Sequence, residues 1–335
     1  MKDWRRALRA DPLPPLLQSG HPALEYFARR DLLDEDLGTP EGLWCHPVVA
    51  GLVRRQQPDG SWKYPGGGKA HLRPVEDYSQ LETYRCLGVL VEKFGATRRM
   101  AAIRQAAAFL FSRQTEAGDF RGIYGNQSSP NYTAGIIELL IKAGYAADRR
   151  TRKGMRWLIS ARQEDGGWAI PMSTVGARWD VKTLGGPTLA GDRSRPFSHL
   201  ATGVVLRAFA AHPAYRPSSE VRLAGALLAS RFFLKDAYPG RDTPEFWTKL
   251  TYPFWFTDLL SALDSLSLLG FGRENPQIAR ALDWFVERQG ANGTWSPTML
   301  RSGGDNQAGL WIALAICRVL KRVGGRAAAR RAERA

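Results

Sequence analysis

Cysteine is scarce in this 335-residue chain: Cys45, Cys86 and Cys317 are far apart and odd in number. Such a set builds no disulfide framework, so a reducing cytoplasm is the expected compartment. No apolar run approaches the roughly 18–20 residues of a membrane-spanning helix. The N-terminal Met1-Lys2-Asp3-Trp4-Arg5-Arg6 leads to Asp11 and three prolines without an apolar stretch, which argues against a signal peptide. Chemical signatures are missing too. There is no Gly-x-Ser-x-Gly, no Gly-rich loop ending in Lys-Ser/Thr and no metal-spaced histidine pair. Gly66-Gly67-Gly68-Lys69 lacks the strand, helix and hydroxyl of a phosphate loop and reads as a flexible link. Cys45 and His46 are adjacent and would need further ligands, such as His71 or His199, to close on zinc. Neither a metal nor a cofactor is expected. Acids are also few: 32 against 47 Lys and Arg, a net charge of +15. That field favours anionic partners. The tail from Lys321 onward carries part of it (Arg326, Arg330, Arg331, Arg334), where a solvated helix end accounts for it equally well.

What is present is a repeated stop signal. It reads Gln56-Gln57-Pro58-Asp59-Gly60-Ser61-Trp62, Gln114 through Gly118 to Phe120, Gln163-Glu164-Asp165-Gly166-Gly167-Trp168, and Gln289 through Gly293 to Trp295. Each follows an amphipathic stretch. Glycine supplies the positive φ beyond a helix C-terminus, the aromatic folds back, and the Gln amide is free to bond exposed backbone ends. Repeated punctuation implies repeated architecture. Helical periodicity comes in pairs, at about 23–34 with 47–57, 77–94 with 98–114, 131–144 with 149–163, 197–211 with 218–233, and 255–269 with 275–289. A sixth apolar helix over 305–323 pairs with residues 3–18 or with nothing. Links within pairs are short, which forces antiparallel neighbours.

Helices ending in the stop signal have a charged face and belong outside; their partners are rich in apolar and small residues and belong inside. Alternating inner and outer antiparallel helices close into a ring. The predicted fold is all-α, an α/α toroid of about six hairpins over residues 23–323, with an extension at 1–22 and a basic tail at 324–335. No strand alternation is evident.

These repeats resemble those of the prenyltransferase and squalene-cyclase superfamily, over roughly residues 20–323. The segment Phe232 through Gly240 departs, lacking the Gln and the spacing. The resemblance implies a ligand in a central cavity and isoprenoid chemistry. Two of that group's signatures are absent. Class II cyclases use Asp-x-Asp-Asp, and only Asp34-Glu35-Asp36 comes near. Protein prenyltransferases bind zinc through Asp-x-Cys, which does not occur.

In such a ring the inner N-termini and the long links before them share one rim, whose positive helix ends suit anions. The links carry Lys63, Lys69, Arg73, Arg121, Arg178, Lys182, Arg193, Arg195, Lys235, Arg241, Lys249 and Arg301 against few acids. Of these, Arg193, Arg195, Lys182, Lys249 and Arg301 are expected to hold an anionic head. Polar links in general are the plainer explanation. Asn131, Tyr132, Trp179, Trp255 and Asn306 are the further ligand-contact candidates. Acid or base candidates are Asp264, Glu138, Asp258 and His199. A first-turn position explains Asp258 otherwise, an N-cap explains Asp305, and ion pairing explains Glu138 and Asp264. The link over 169–196 is long enough for a lid or a surface insertion.

The expected function is binding, with or without conversion, of an apolar or amphipathic small molecule, isoprenoid-like with an anionic head. Three alternatives stay open. One is a non-catalytic binding or interaction toroid. Another is a lyase or hydrolase of acidic polysaccharide with His199 or Tyr132 as base. The last is nucleic-acid binding through the basic rim. Peripheral contact with a membrane surface is compatible with the charge.

Overall fold

Proline and short polar residues start most of the helices. In the computed structural model, which describes residues 4–66, 73–240, 242–300 and 306–332, they run in chain order as follows. They are α1 (Leu13–Leu17), α2 (Pro22–Leu32), α3 (Pro47–Arg54), α4 (Tyr78–Phe94), α5 (Ala101–Ser112), α6 (Pro130–Leu140), α7 (Arg149–Ser160), α8 (Pro171–Thr174), α9 (Val181–Gly185), α10 (His199–Ala211), α11 (Ser219–Ser230), α12 (Leu259–Leu268), α13 (Pro276–Glu287) and α14 (Ala308–Ala332). Pro22, Pro47, Pro130 and Pro276 occupy first turns, where no intrahelical N–H is needed. Asp77, Ser129, Asp148, Ser198, Ser218, Asp258 and Asn275 cap helices by accepting backbone N–H groups. Among the described residues the fold is all-α apart from isolated bridges and one two-residue parallel pairing, β1 (Lys249–Leu250) with β2 (Thr298–Met299). The pairing joins two links, and its shortness explains why no alternation is visible in the sequence. Among the described residues no helix is long and apolar enough to cross a membrane.

Two compact units divide the chain: residues 40–215, and residues 1–39 with 216–335. In the 40–215 unit α4 packs on α5 and on α6, α6 on α7 and on α10, and α3 on α4. Tyr84 of α4 meets Tyr132 of α6, and Glu138 of α6 meets Arg207 of α10. The Tyr84–Tyr132 contact and the Glu92–Lys142 pair follow one another in the same order along both segments, so α4 and α6 run parallel. The helices α4, α6 and α10 are the predicted inner ones, and α5 and α7 the outer ones. In the other unit α12 packs on α13 and α14, α11 on α12 and α13, and α2 on α14. The α14 helix also meets α1 and the 3-10 turn Trp4–Ala7, so residues 4–17 do pair with the sixth inner helix.

The stop signals explain the repeat in atomic terms. Trp62, Trp168 and Trp295 each donate their indole N–H to a carbonyl ten residues back: Leu52 (2.8 Å), Leu158 (2.6 Å) and Phe285 (2.7 Å). These carbonyls lie in the last turns of the preceding helices, where intrahelical donors run out. The backbone N–H groups of Trp62, Phe120 and Trp168 donate to the hydroxyls of Thr83, Thr133 and Thr202 on α4, α6 and α10. The glutamines work outward. Gln56, Gln114 and Gln289 donate to the carbonyls of their own turn glycines and also to Ala102, Arg150 and Ala10. Gln163 instead donates to Asp192 and Arg195 at the end of the long link. Glycine is required twice over at Gly60 (φ 88°): a Cβ there would also stand 2.3 Å from the Gln105 carbonyl oxygen. Where the fourth repeat lacks the signal, Trp247 substitutes, donating to Leu234 and packing on Phe232.

Candidate functional site

The inner row of the 40–215 unit holds a buried ion cluster. Arg207 lies in the otherwise apolar middle of α10 and its side chain is 2% exposed; it donates to Glu138 Oε2 at 2.9 Å. Lys142, one turn beyond Glu138, bridges Glu138 (2.7 Å) and Glu92 of α4 (2.6 Å). Burial pushes the Glu138 carboxyl upward, but the Arg207 and Lys142 charges outweigh it and hold it below its ordinary range. Glu138 and Lys142 stand at helical spacing in the sequence. Arg207 was not among the sequence candidates, although a lone arginine in an apolar helical run signals a buried pair.

Above this cluster runs a series of aromatic rings. Tyr84 meets Tyr132 at 6.1 Å, Tyr132 meets Tyr124 at 5.0 Å, and Tyr124 meets Trp179 at 4.8 Å, each edge to face. Gly135 makes room for the first of them, since a Cβ would stand 2.6 Å from the Tyr84 hydroxyl. Burial raises the hydroxyl pKa of both Tyr84 and Tyr124 well above the usual phenol value, so both remain protonated donors. Tyr124 is hydrogen-bonded to Asn131 and Tyr132. The series therefore leads from a buried tyrosine to Trp179, which is 38% exposed.

Trp179 belongs to the 169–196 link, which is folded and docked. It contains α8, α9 and a small core of Ile170, Met172 and Leu184 packed with Val75 and Tyr124. Gln127, itself buried, donates to the carbonyls of Thr183 (2.7 Å) and Pro187 (3.0 Å) and accepts from Leu189 N–H (2.9 Å). Asn126 adds bonds to Leu184 and Gly185. Of the cations expected at the rim, Lys182 is exposed on α9. Arg193 is exposed and donates to the Arg162 carbonyl, while the Arg195 carbonyl accepts from Gln163. His199 opens α10 and is 3% exposed. Asn131, Tyr132, Trp179, Lys182, Arg193, Arg195, Glu138 and His199 thus all lie in this one unit.

The remaining candidates lie in the other unit. Asp258 is 1% exposed and caps α12 in a reciprocal box with Ser261; its second oxygen accepts from Thr251 N–H at 3.1 Å. Asp264 pairs with Arg322, which also donates to Ser267. Lys249 lies over the Phe246 ring at 4.9 Å, Trp255 is half-buried, and Asn306 is exposed. Arg301, like Lys69, His71, Arg241 and Asp305, lies outside the described residues. A second arginine absent from the sequence candidates, Arg318 of α14, bonds Asp31 of α2 and the hydroxyl of Tyr252, whose ring stacks on Trp311 at 5.5 Å. Among the described residues no cluster of three or more His, Cys, Asp or Glu could hold a metal ion.

No family model and no curated protein matches the chain. Solved structures similar to it include a variant of the type II terpene cyclase MstE from Scytonema with its product merosterolic acid A. That pair shares 15% identity over 83% of this chain and 95% of that one, with a TM-score of 0.40. The MstE apo structure gives 14% identity over 82% and 96%, with a TM-score of 0.35. A protein from Actinoplanes gives 17% over 85% and 100%, with a TM-score of 0.32. At these values the likeness transfers neither a substrate nor a residue role.

Proposed function

We propose that this protein binds an isoprenoid-like amphipathic small molecule with an anionic head. The reading is carried by the aromatic series from buried Tyr84 to half-exposed Trp179. Ring faces suit an unsaturated hydrocarbon chain, and edge-to-face tyrosines leave a polar handle at intervals. The exposed cations of the docked link, Lys182, Arg193 and Arg195, would take the anionic end. The resemblance of the repeats to those of isoprenoid-handling toroids points the same way.

The carboxylates favour binding over acid catalysis. Asp258 accepts two backbone N–H groups, Asp264 faces Arg322, and Glu138 faces Arg207 and Lys142. For Glu138 the Arg207 and Lys142 charges hold the carboxyl below its ordinary range, which disfavours giving a proton to an alkene.

Native mass spectrometry of the purified protein, with thermal melts in geranylgeranyl diphosphate, tests the reading. At about a hundredfold excess over Kd a bound ligand adds roughly 2.7 kcal/mol, a shift of several degrees. Tyr132→Ala should abolish the shift, and Arg193→Glu with Arg195→Glu should weaken it. No retained compound and no shift with any prenyl diphosphate would refute it.

A further inference from the structure

Ten large hydrophobic side chains are exposed among the described residues, and three fall within seven consecutive positions: Val175 and Val181, each 46% exposed, and Trp179, 38%. Two exposed cations, Arg178 and Lys182, sit among them. The one acid of the stretch, Asp180, is used to cap α9. The same segment buries Leu184 in the small core with Ile170 and Met172. It is therefore apolar on two faces, one turned to its own core and one to solvent. The Gln127 bonds to Thr183, Pro187 and Leu189 hold its base, and the edge contact with Tyr124 fixes the indole. A soluble surface normally scatters its exposed apolar groups singly; a cluster marks a contact surface.

We propose that the 175–182 tip docks the protein on an anionic lipid bilayer. The composition fits that interface. Indole settles at headgroup depth, short aliphatic side chains reach the acyl boundary, and Arg and Lys stems lie along apolar surface while their charges meet lipid phosphates. Arg193 and Arg195 are also exposed in the same link, and the chain as a whole carries +15, which favours an anionic surface. Three side chains are too small a patch for a stable protein partner, which needs about 800 Å² from each side. A bilayer has no such threshold, because affinity accumulates from a few inserted groups and their charges.

Co-sedimentation of the full chain with phosphatidylcholine vesicles, with and without about 30 mol% phosphatidylglycerol, tests this. The wild type is expected to partition onto the anionic vesicles. Val175→Ser with Trp179→Ser and Val181→Ser should lower the partition at least about tenfold. Arg178→Glu with Lys182→Glu should lower it similarly on anionic vesicles alone. Val175→Ser with Val181→Ser spares the Trp179–Tyr124 contact and serves where the triple change disturbs folding; an unchanged melting temperature confirms the comparison. No partition by the wild type overturns the proposal. So does partition that all three variants retain, which would move binding to the basic C-terminal helix. So does loss of a dimer in the triple variant with vesicle binding unchanged, which would make the tip a self-association patch. The vesicles contain no isoprenoid, so the outcome is independent of the ligand reading.

Discussion

At the scale of single residues, the chain relies on a few side chains whose polar atoms have no margin. Arg207 and Glu138 are the clearest. Removing Arg207 leaves Glu138 with Lys142 alone, and removing Glu138 takes from Arg207 its buried carboxylate; breaking such a buried pair costs about 3–5 kcal/mol. Arg207→Ala should therefore lower the melting temperature by about 10 °C. Replacing both, as Glu138→Met with Arg207→Met, should recover most of it, since no orphaned charge remains. The pH dependence has a definite sign. Burial acts against the Glu138 carboxylate, but Arg207 and Lys142 bring its folded pKa below the unfolded value near 4.5. The stabilisation is therefore complete above that value and is lost as pH falls through the folded pKa. The melting-temperature gap between wild type and Glu138→Gln should be constant near neutrality and narrow below pH 4.5, as read by melts across an acid series. A gap unchanged down to pH 3 would mean that the pair does not titrate in this way.

At the scale of elements, the helices were legible because apolar spacing, caps and glycine stops agree locally. The predicted 77–94 and 149–163 stretches appear as Tyr78–Phe94 and Arg149–Ser160. The three-residue shortfall at the latter is the stop signal itself, whose Gln163 bonds carbonyls of the link instead of continuing the helix. What the sequence hid was partnership across large separations. Nothing local reveals that Thr83, Thr133 and Thr202 receive the aromatic backbone N–H groups, or that Arg207 finds Glu138 69 residues away. The 169–196 link was legible only as too long for a connector; its docking depends on Asn126 and Gln127, unremarkable polar residues in sequence. That dependence is testable. Gln127→Ala removes three bonds from the buried base of the link and leaves the Thr183 and Pro187 carbonyls without that donor. Limited trypsin digestion should then cut after Arg178 or Lys182 at least several times faster than in the wild type, with other sites unchanged. Equal protection in the variant would show that the small core alone holds the link.

On the scale of the whole molecule, the stop signals separate by unit. Gln56, Gln114 and Gln163 bond Ala102, Arg150 and the Asp192–Arg195 turn, all within 40–215, whereas Gln289 bonds Ala10, within the unit built from the two chain ends. The ion clusters separate in the same way, Arg207 with Glu138 in one unit and Arg318 with Asp31 in the other. Every staple thus closes on its own side. The 40–215 unit is continuous in sequence, carries the inner helices α4, α6 and α10 with the outer helices α5 and α7, and contains its own docked link. A segment of this length can bury a core sufficient for independent folding. Expressed alone, residues 40–215 should show a helical far-UV spectrum and a cooperative melt, and Arg207→Ala should destabilise the fragment by about the amount it costs the full chain. The other unit needs residues 1–39 to reach α14 and should not fold from 216–335 by itself, because α14 would lose α2, α1 and the Asp31 partner of Arg318 together. A fragment 40–215 that stays unfolded, or a fragment 216–335 that melts cooperatively, would show that the staples do not mark the folding units and that cohesion comes from surfaces other than the repeated signal.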